Sequence, residues 1–137
     1  MDEPLRIFLI EDDMDDIELL QESLKDNSVS FTMNIVREGD KVSSYLSECT
    51  LLPHVIVMDF NLPKVHGKDI LKTIKSFSGF NNIPLLVLTT STAKDDIDYS
   101  YKMGADKYLT KPSSIKGFND TVAAIVELAT RKIPGAS

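Results

Sequence analysis

The chain has 137 residues, a length that suits one domain with a single hydrophobic core rather than two. It is 42% hydrophobic and 26% charged, and it has no apolar stretch near the roughly 20 residues that cross a bilayer, so no membrane contact is expected. The net charge of −6 argues against nucleic-acid binding, and the acidic start and single cysteine argue against secretion, so we expect a cytoplasmic protein with protein partners.

The spacing of apolar residues predicts five strand and helix pairs in succession. Short apolar runs predict strands at 6–10, 32–36, 55–58, 85–88 and 107–110. Helical spacing of apolar residues predicts helices over 14–24, 42–49, 67–77, 94–103 and 118–129, and Asp13 is a suitable cap for the first of them. This alternation predicts an α/β fold, (βα)5 and doubly wound, with a parallel sheet and helices on both faces.

Charged residues follow three of the predicted strands. Glu11 and Asp12 follow the first strand, Asp59 follows the third, and Lys111 follows the fifth. The carboxyl ends of parallel strands share one edge of the sheet, which is where open α/β sheets bind ligands. Three carboxylates and one ammonium carry about two negative charges, which Mg²⁺ would neutralise. The pattern therefore predicts a magnesium-assisted phosphoryl acceptor in which Asp59 receives the group.

Two further side chains suit the same chemistry. Phosphoryl transfer depends mainly on positioning and on charge stabilisation of the phosphoryl oxygens, and Lys111 can supply part of that charge. Thr89 ends the fourth strand, so its hydroxyl is expected at the same edge, where it could bond a phosphoryl oxygen. We therefore add Lys111 and Thr89 to Asp59 as candidate catalytic residues, and no organic cofactor is expected.

Other acidic and titratable residues receive simpler interpretations. Asp15, Asp16 and Glu18 are interpreted as acids that suit the positive end of the first helix dipole. His54 and His66 are interpreted as exposed loop residues without a role in the site.

Taken together, the motifs resemble those of the receiver domains of two-component response regulators, the CheY-like group. The resemblance extends over about 5–132. Its motifs are Glu11-Asp12-Asp13, Asp59-Phe60-Asn61-Leu62-Pro63, Gly67, Thr89 and Lys111-Pro112.

The resemblance implies a fold and a set of residue roles. The strand order would be 2-1-3-4-5, and the chain would be one receiver domain over 1–137, with a core at about 5–132 and a tail at 133–137. The metal ligands would be Glu11, Asp12, Asp59 and the main-chain carbonyl of Asn61. Asp59 would be the phosphoacceptor, Lys111 would contact the phosphoryl group through a cis Lys111–Pro112 bond, and the switch pair would be Thr89 and Tyr108.

The resemblance also implies partners. A sensor histidine kinase or a phosphotransfer protein would donate the phosphoryl group, and a downstream protein target would respond to it. The segment 111–118 resembles free-standing single-domain regulators, including those paired with phytochrome-type sensor kinases. The protein would act as a switch rather than an enzyme, catalysing its own phosphorylation and dephosphorylation. Whether it forms a homodimer stays open.

Two other classes of protein have related features. An aspartyl-phosphate phosphohydrolase of the haloacid dehalogenase type also uses an aspartate at a strand end and Mg²⁺, but it needs a second aspartate two residues later, where this chain has Asn61. A flavodoxin-like binding module would hold a phosphate with backbone N–H groups and hydroxyls at a helix N-terminus, and the acidic strand ends do not suit that.

Overall fold

The computed structural model describes residues 3–131. Five parallel strands form one sheet in the order β2-β1-β3-β4-β5. The strands are β1 Leu5–Ile10, β2 Phe31–Val36, β3 Val55–Met58, β4 Leu85–Thr89 and β5 Lys107–Thr110. The helices are α1 Met14–Asp26, α2 Val42–Glu48, α3 Gly67–Ser76, α4 Lys94–Lys102 and α5 Phe118–Thr130, and a short 3₁₀ turn over Gly39–Lys41 precedes α2. The predicted fold class and strand order are confirmed, and the predicted tail at 133–137 lies outside the described residues.

The central strand β3 is buried on both faces. Side chains alternate across the sheet, so Val55 and Val57 pack with α1 and α5, whereas Ile56 and Met58 pack with α2 and α3. All four residues are 0% exposed. A continuous apolar run is what a strand covered by helices on both faces requires.

The first helix begins directly after β1. The Asp13 side chain accepts hydrogen bonds from the main-chain N–H groups of Asp15 and Asp16, which confirms it as the cap of α1. Ile17 is buried as its spacing predicts. Met14 was expected on the same apolar stripe but is 46% exposed, because the first helical residue lies at the rim of the core.

Gly67 fixes how the loop after β3 returns to the sheet. Its N–H donates to the Phe60 carbonyl at 3.0 Å, and a Cβ at this position would lie 2.4 Å from the Phe60 Cα. Only glycine therefore allows the start of α3 to lie this close to the segment that follows Asp59.

Within residues 3–131, no helix is long and apolar enough to cross a bilayer.

Candidate functional site

The acidic residues of the first and third strands meet at the carboxyl edge of the sheet. Ile10 and Met58 are paired in neighbouring strands, and the Asp59 N–H donates to the Ile10 carbonyl at 3.0 Å. This register places Glu11, Asp12 and Asp59 together, with one carboxylate oxygen of each within 4.8 Å of the others. The structure thus brings together side chains that follow two different strands, β1 and β3.

Lys111 reaches this acidic group from the end of β5. Its Nζ lies 2.7 Å from Glu11 Oε1, 2.7 Å from Asp59 Oδ2 and 2.7 Å from Asp16 Oδ2. Only 8% of its side chain is exposed. The described residues contain no cis peptide bond, so the expected cis Lys111–Pro112 bond is wrong. The ammonium contacts Asp59 although the Lys111–Pro112 bond is trans.

Asp16 is a site residue that the sequence analysis missed. It was interpreted as an acid suited to the helix dipole, but its carboxylate binds the Lys111 ammonium. The available signal was positional: only three residues separate the end of β1 from the start of α1, so the first turn of α1 lies near the same edge of the sheet as Glu11.

Asp59 is held by two hydrogen bonds. Its Oδ1 accepts the N–H of Asn61 at 3.0 Å, and its Oδ2 accepts from Lys111 at 2.7 Å. The side chain is 3% exposed, so Asp59 is almost fully buried. Glu11 is similarly fixed, because its Oε2 accepts the N–H groups of Asp12 and Asp13 at 3.1 Å each.

Burial and charge shape the ionisation of the site. Burial raises the pKa of Glu11 to about 7, although the hydrogen bonds from Lys111 and from the Asp13 N–H oppose this shift. Burial alone would lower the pKa of Lys111, but hydrogen bonds to Asp16, Asp59 and Glu11 raise it above its ordinary value. Lys111 is therefore a fixed cation, and the crowded carboxylate oxygens are ligands that suit a hard divalent ion such as Mg²⁺.

Thr89 lies on the rim of this group. It is 0% exposed at the end of β4, and its Oγ1 accepts from the Asn61 side-chain amide and from the Ser91 N–H, each at 3.4 Å. The same Asn61 amide donates to Thr90 Oγ1 at 3.2 Å. The structure thus places the Asn61 side chain between the two threonines, while the metal-ligand role of its main-chain carbonyl stays a prediction.

Tyr108 contacts the loop that follows Thr89. Its hydroxyl donates to the Ser91 carbonyl at 2.8 Å, and its ring meets the Phe60 ring edge-on at a centroid distance of 6.2 Å. Thr89 and Tyr108 therefore contact the same residue, Ser91, one through its main-chain N–H and the other through its carbonyl. Their role as a switch pair stays a prediction.

The two histidines lie away from the acidic group. His66 is exposed, and its side chain accepts the N–H of Lys68 at the start of α3. His54 is half-buried at the opposite edge of the sheet, where its Nδ1 accepts the Arg6 N–H at 2.8 Å. His54 is a loop residue outside the site, as interpreted, but it is half-buried rather than exposed, because its ring accepts the Arg6 N–H and so joins the start of β3 to β1.

Sequence comparison finds the same family along most of the chain. The family model of the response regulator receiver domain matches residues 7–123. The response regulator Rcp1 of Synechocystis sp. is 35% identical over 140 aligned positions, covering 97% of this chain and 95% of that relative.

Solved structures agree with this assignment. The phosphorylated cyanobacterial phytochrome response regulator RcpA has a TM-score of 0.85 at 35% identity, covering 97% of this chain and 100% of that one. The Mn²⁺-bound form of Rcp1 has a TM-score of 0.82 at 34% identity, covering 96% and 100%. This chain belongs to the response regulator receiver domain family of two-component signalling.

Proposed function

We propose that this receiver domain accepts a phosphoryl group on Asp59 in a Mg²⁺-dependent reaction and thereby changes its contacts with other proteins. The observation that carries the proposal is the convergence of carboxylate oxygens from Glu11, Asp12 and Asp59 within 4.8 Å. The Lys111 ammonium lies 2.7 Å from the acceptor carboxylate in the same place. Membership of the receiver family favours this function over the phosphohydrolase and the flavodoxin-like module.

The proposed metal ligands are the carboxylates of Glu11, Asp12 and Asp59 and the main-chain carbonyl of Asn61. All are oxygen donors, as Mg²⁺ prefers, and the single Lys111 ammonium balances only one of the three carboxylates gathered here. Bound there, Mg²⁺ would neutralise charge on the carboxylates and on the incoming phosphoryl group. The relative Rcp1 has been solved in a Mn²⁺-bound form, which supports a divalent cation at this site.

The reaction requires little covalent chemistry from the protein. An Asp59 carboxylate oxygen forms a bond to phosphorus, the bond from phosphorus to the donor nitrogen breaks, and the departing imidazole nitrogen keeps the electron pair and takes a proton. Lys111 and the Thr89 hydroxyl would donate hydrogen bonds to the phosphoryl oxygens, which carry the negative charge of the transferred group. The domain would catalyse its own phosphorylation and, slowly, the hydrolysis of its aspartyl phosphate. It would therefore act as a switch rather than as a turnover enzyme.

In the proposed switch, Ser91 connects Thr89 at the phosphorylation site to Tyr108. A phosphoryl group that attracts the Thr89 hydroxyl would act on the loop after β4, since the Ser91 N–H donates to Thr89 Oγ1 at 3.4 Å. The carbonyl of the same residue accepts from Tyr108 at 2.8 Å. A shift of Ser91 would therefore change the position of Tyr108 and the surface formed by α4, β5 and α5.

The proposed phosphodonor is a sensor histidine kinase or a phosphotransfer protein. RcpA is described as a phytochrome response regulator, and a similar neighbour at 30% identity as a bacteriophytochrome response regulator, which supports a phytochrome-type kinase. The same proposal includes one receiver domain over 1–137, a cytoplasmic location, a downstream protein target and a homodimer as one possible form.

The test is phosphorylation by a small phosphoramidate donor, followed by the mass of the intact protein with and without Mg²⁺. The unaltered chain should gain one phosphoryl group only with Mg²⁺, whereas Asp59→Asn should gain none. Asp13→Asn is the matched control, because Asp13 caps α1 and asparagine caps a helix equally well. Equal phosphorylation of Asp59→Asn and the unaltered chain would refute the site. Sustained hydrolysis of a phosphate ester would favour the phosphohydrolase.

A further inference from the structure

We infer that Asp16 is a positioning residue that keeps the Lys111 ammonium at the site when a divalent cation binds the other acidic residues. This inference rests on the proposed function, because it concerns the cation-loaded site. It assigns a role to a side chain that is outside the group of proposed metal ligands.

The Lys111 ammonium has one N–H donor for each of its carboxylate partners. An ammonium group donates three hydrogen bonds, and Nζ has carboxylate oxygens of Glu11, Asp16 and Asp59 at 2.7 Å each. Glu11 and Asp59 also belong to the group that could hold a metal ion, whereas Asp16 does not. A cation at that group would compete with Lys111 for two of its three partners, so Asp16 is the partner that remains.

Asp16 is well placed for this role because its own position is fixed. It lies in the first turn of α1, where its main-chain N–H donates to the capping Asp13 side chain at 3.2 Å. The next residue, Ile17, is 2% exposed and anchors this turn in the core. The Asp16 side chain is 24% exposed, against 8% for Lys111 and 3% for Asp59, so it is a more exposed partner of the ammonium than Asp59 is.

The role matters because lysine is flexible. Its four-carbon stem has many rotamers, and an ammonium that lost two partners would spread over several of them. An ammonium held on one side by Asp16 keeps its other donors directed at Asp59, where the phosphoryl oxygens would arrive. Asp16 acts through Lys111 and does not itself touch the phosphoryl group.

The test is the reactivity of the Lys111 amine towards reductive methylation, measured by peptide mass spectrometry with and without saturating Mg²⁺. In the unaltered chain, Lys111 should be labelled slowly in both conditions. In Asp16→Ala, it should be labelled slowly without Mg²⁺ and roughly tenfold faster with it, because one charge-assisted hydrogen bond has been lost. Asp15→Ala, an exposed acid in the same turn, is the matched control and should behave as the unaltered chain does.

Two further measurements keep the result interpretable. Asp16→Glu restores a carboxylate and should slow the labelling again, which a loss of helix stability alone would not explain; if Asp16→Ala does not fold, Asp16→Asn takes its place. Equal labelling of Asp16→Ala and the unaltered chain with Mg²⁺, or an equal rise without Mg²⁺, would overturn the inference.

Calorimetric titration with Mg²⁺ separates the two proposals. Absence of binding to the unaltered chain would remove the proposed function and this inference together, whereas normal binding with equal labelling would remove the inference alone.

Discussion

The hydroxyl of Tyr108 donates a hydrogen bond of 2.8 Å to the main-chain carbonyl of Ser91. This contact joins β5 to the loop between β4 and α4. The same loop contacts the candidate site through the Ser91 N–H, which donates to Thr89 Oγ1. One residue thus joins the buried rim of the site to a half-buried aromatic side chain near the surface of α4 and β5.

Replacing Tyr108 by phenylalanine should lower the free energy of unfolding by about 1 kcal/mol, the usual net value of a partly buried hydrogen bond. The Ser91 carbonyl would lose its tyrosine donor, while the ring contact with Phe60 would remain. Urea denaturation measures the change. Tyr99→Phe is the control, because the Tyr99 hydroxyl lies 3.4 Å from the Lys68 carbonyl and should contribute less. An unchanged stability of Tyr108→Phe would show that the contact is not maintained in solution.

Thr89→Val should separate phosphorylation from the response of Tyr108. Valine keeps the shape of the buried side chain and removes the hydroxyl, so the folded structure should lose less than about 1 kcal/mol, since both bonds to Thr89 Oγ1 are long. Asp59 should still be labelled, more slowly, but amide resonances of Ser91 and Tyr108 should no longer shift on phosphorylation. Thr89→Ser should retain the shifts. Identical shifts in Thr89→Val and the unaltered chain would count against the switch pair.

Asp96 should make stability depend on pH in the acidic range. The Ser91 hydroxyl donates to its carboxylate at 2.6 Å, and the Lys68 ammonium lies 3.3 Å away. These contacts hold the pKa of Asp96 below its ordinary value of 3.8. A carboxyl group with a lowered pKa in the folded state stabilises it above the unfolded-state pKa, and this contribution disappears as the pH falls through the folded-state pKa.

Asp96→Asn should therefore be less stable than the unaltered chain at neutral pH, with a difference that shrinks below about pH 4. Urea denaturation at a series of pH values measures this. Asp95→Asn, an exposed acid in the same turn of α4, should show a smaller difference throughout. A difference between Asp96→Asn and the unaltered chain that does not vary with pH would contradict the assigned contacts.

Gly67→Ala should be the more damaging of two glycine substitutions. Its Cβ would lie 2.4 Å from the main chain of Phe60, so α3 or the loop after Asp59 must shift, at a cost of about 3 kcal/mol. Gly79→Ala adds a methyl group with nothing within 4 Å, and its φ of 92° should cost about 1 to 2 kcal/mol. Denaturant midpoints compare the two variants. A smaller loss for Gly67→Ala would contradict the close approach of α3 to Phe60.

The sequence predicted most of the fold because its apolar runs are short and well separated. The predicted bounds of β3 and β5 agree with the structure, and the other strands differ by one residue, since Leu5, Phe31 and Thr89 extend the pairing. Periodicity cannot reveal how exposed a helix end will be. Met14 has the spacing of a core residue, but it stands at the end of α1, where the core no longer covers it.

The candidate site was less completely predictable. Strand ends identified Glu11, Asp12, Asp59 and Lys111, because parallel strands place their carboxyl ends at one edge. Asp16 was missed because an acid in a first helical turn is common without any partner, and its contact with Lys111 depends on how β5 lies relative to α1. The contact of His54 with Arg6 was missed for a similar reason, since it depends on how the start of β3 lies against β1.

The most direct measurement of the central claim is the position of the phosphoryl group in the chain. After reaction with a small phosphodonor and Mg²⁺, reduction with borohydride converts a phosphorylated aspartate to homoserine, and peptide mass spectrometry locates it. The account predicts homoserine at position 59 alone, and none when Mg²⁺ is withheld. Homoserine at position 12, 13 or 16, or a labelled chain with aspartate intact at position 59, would contradict it.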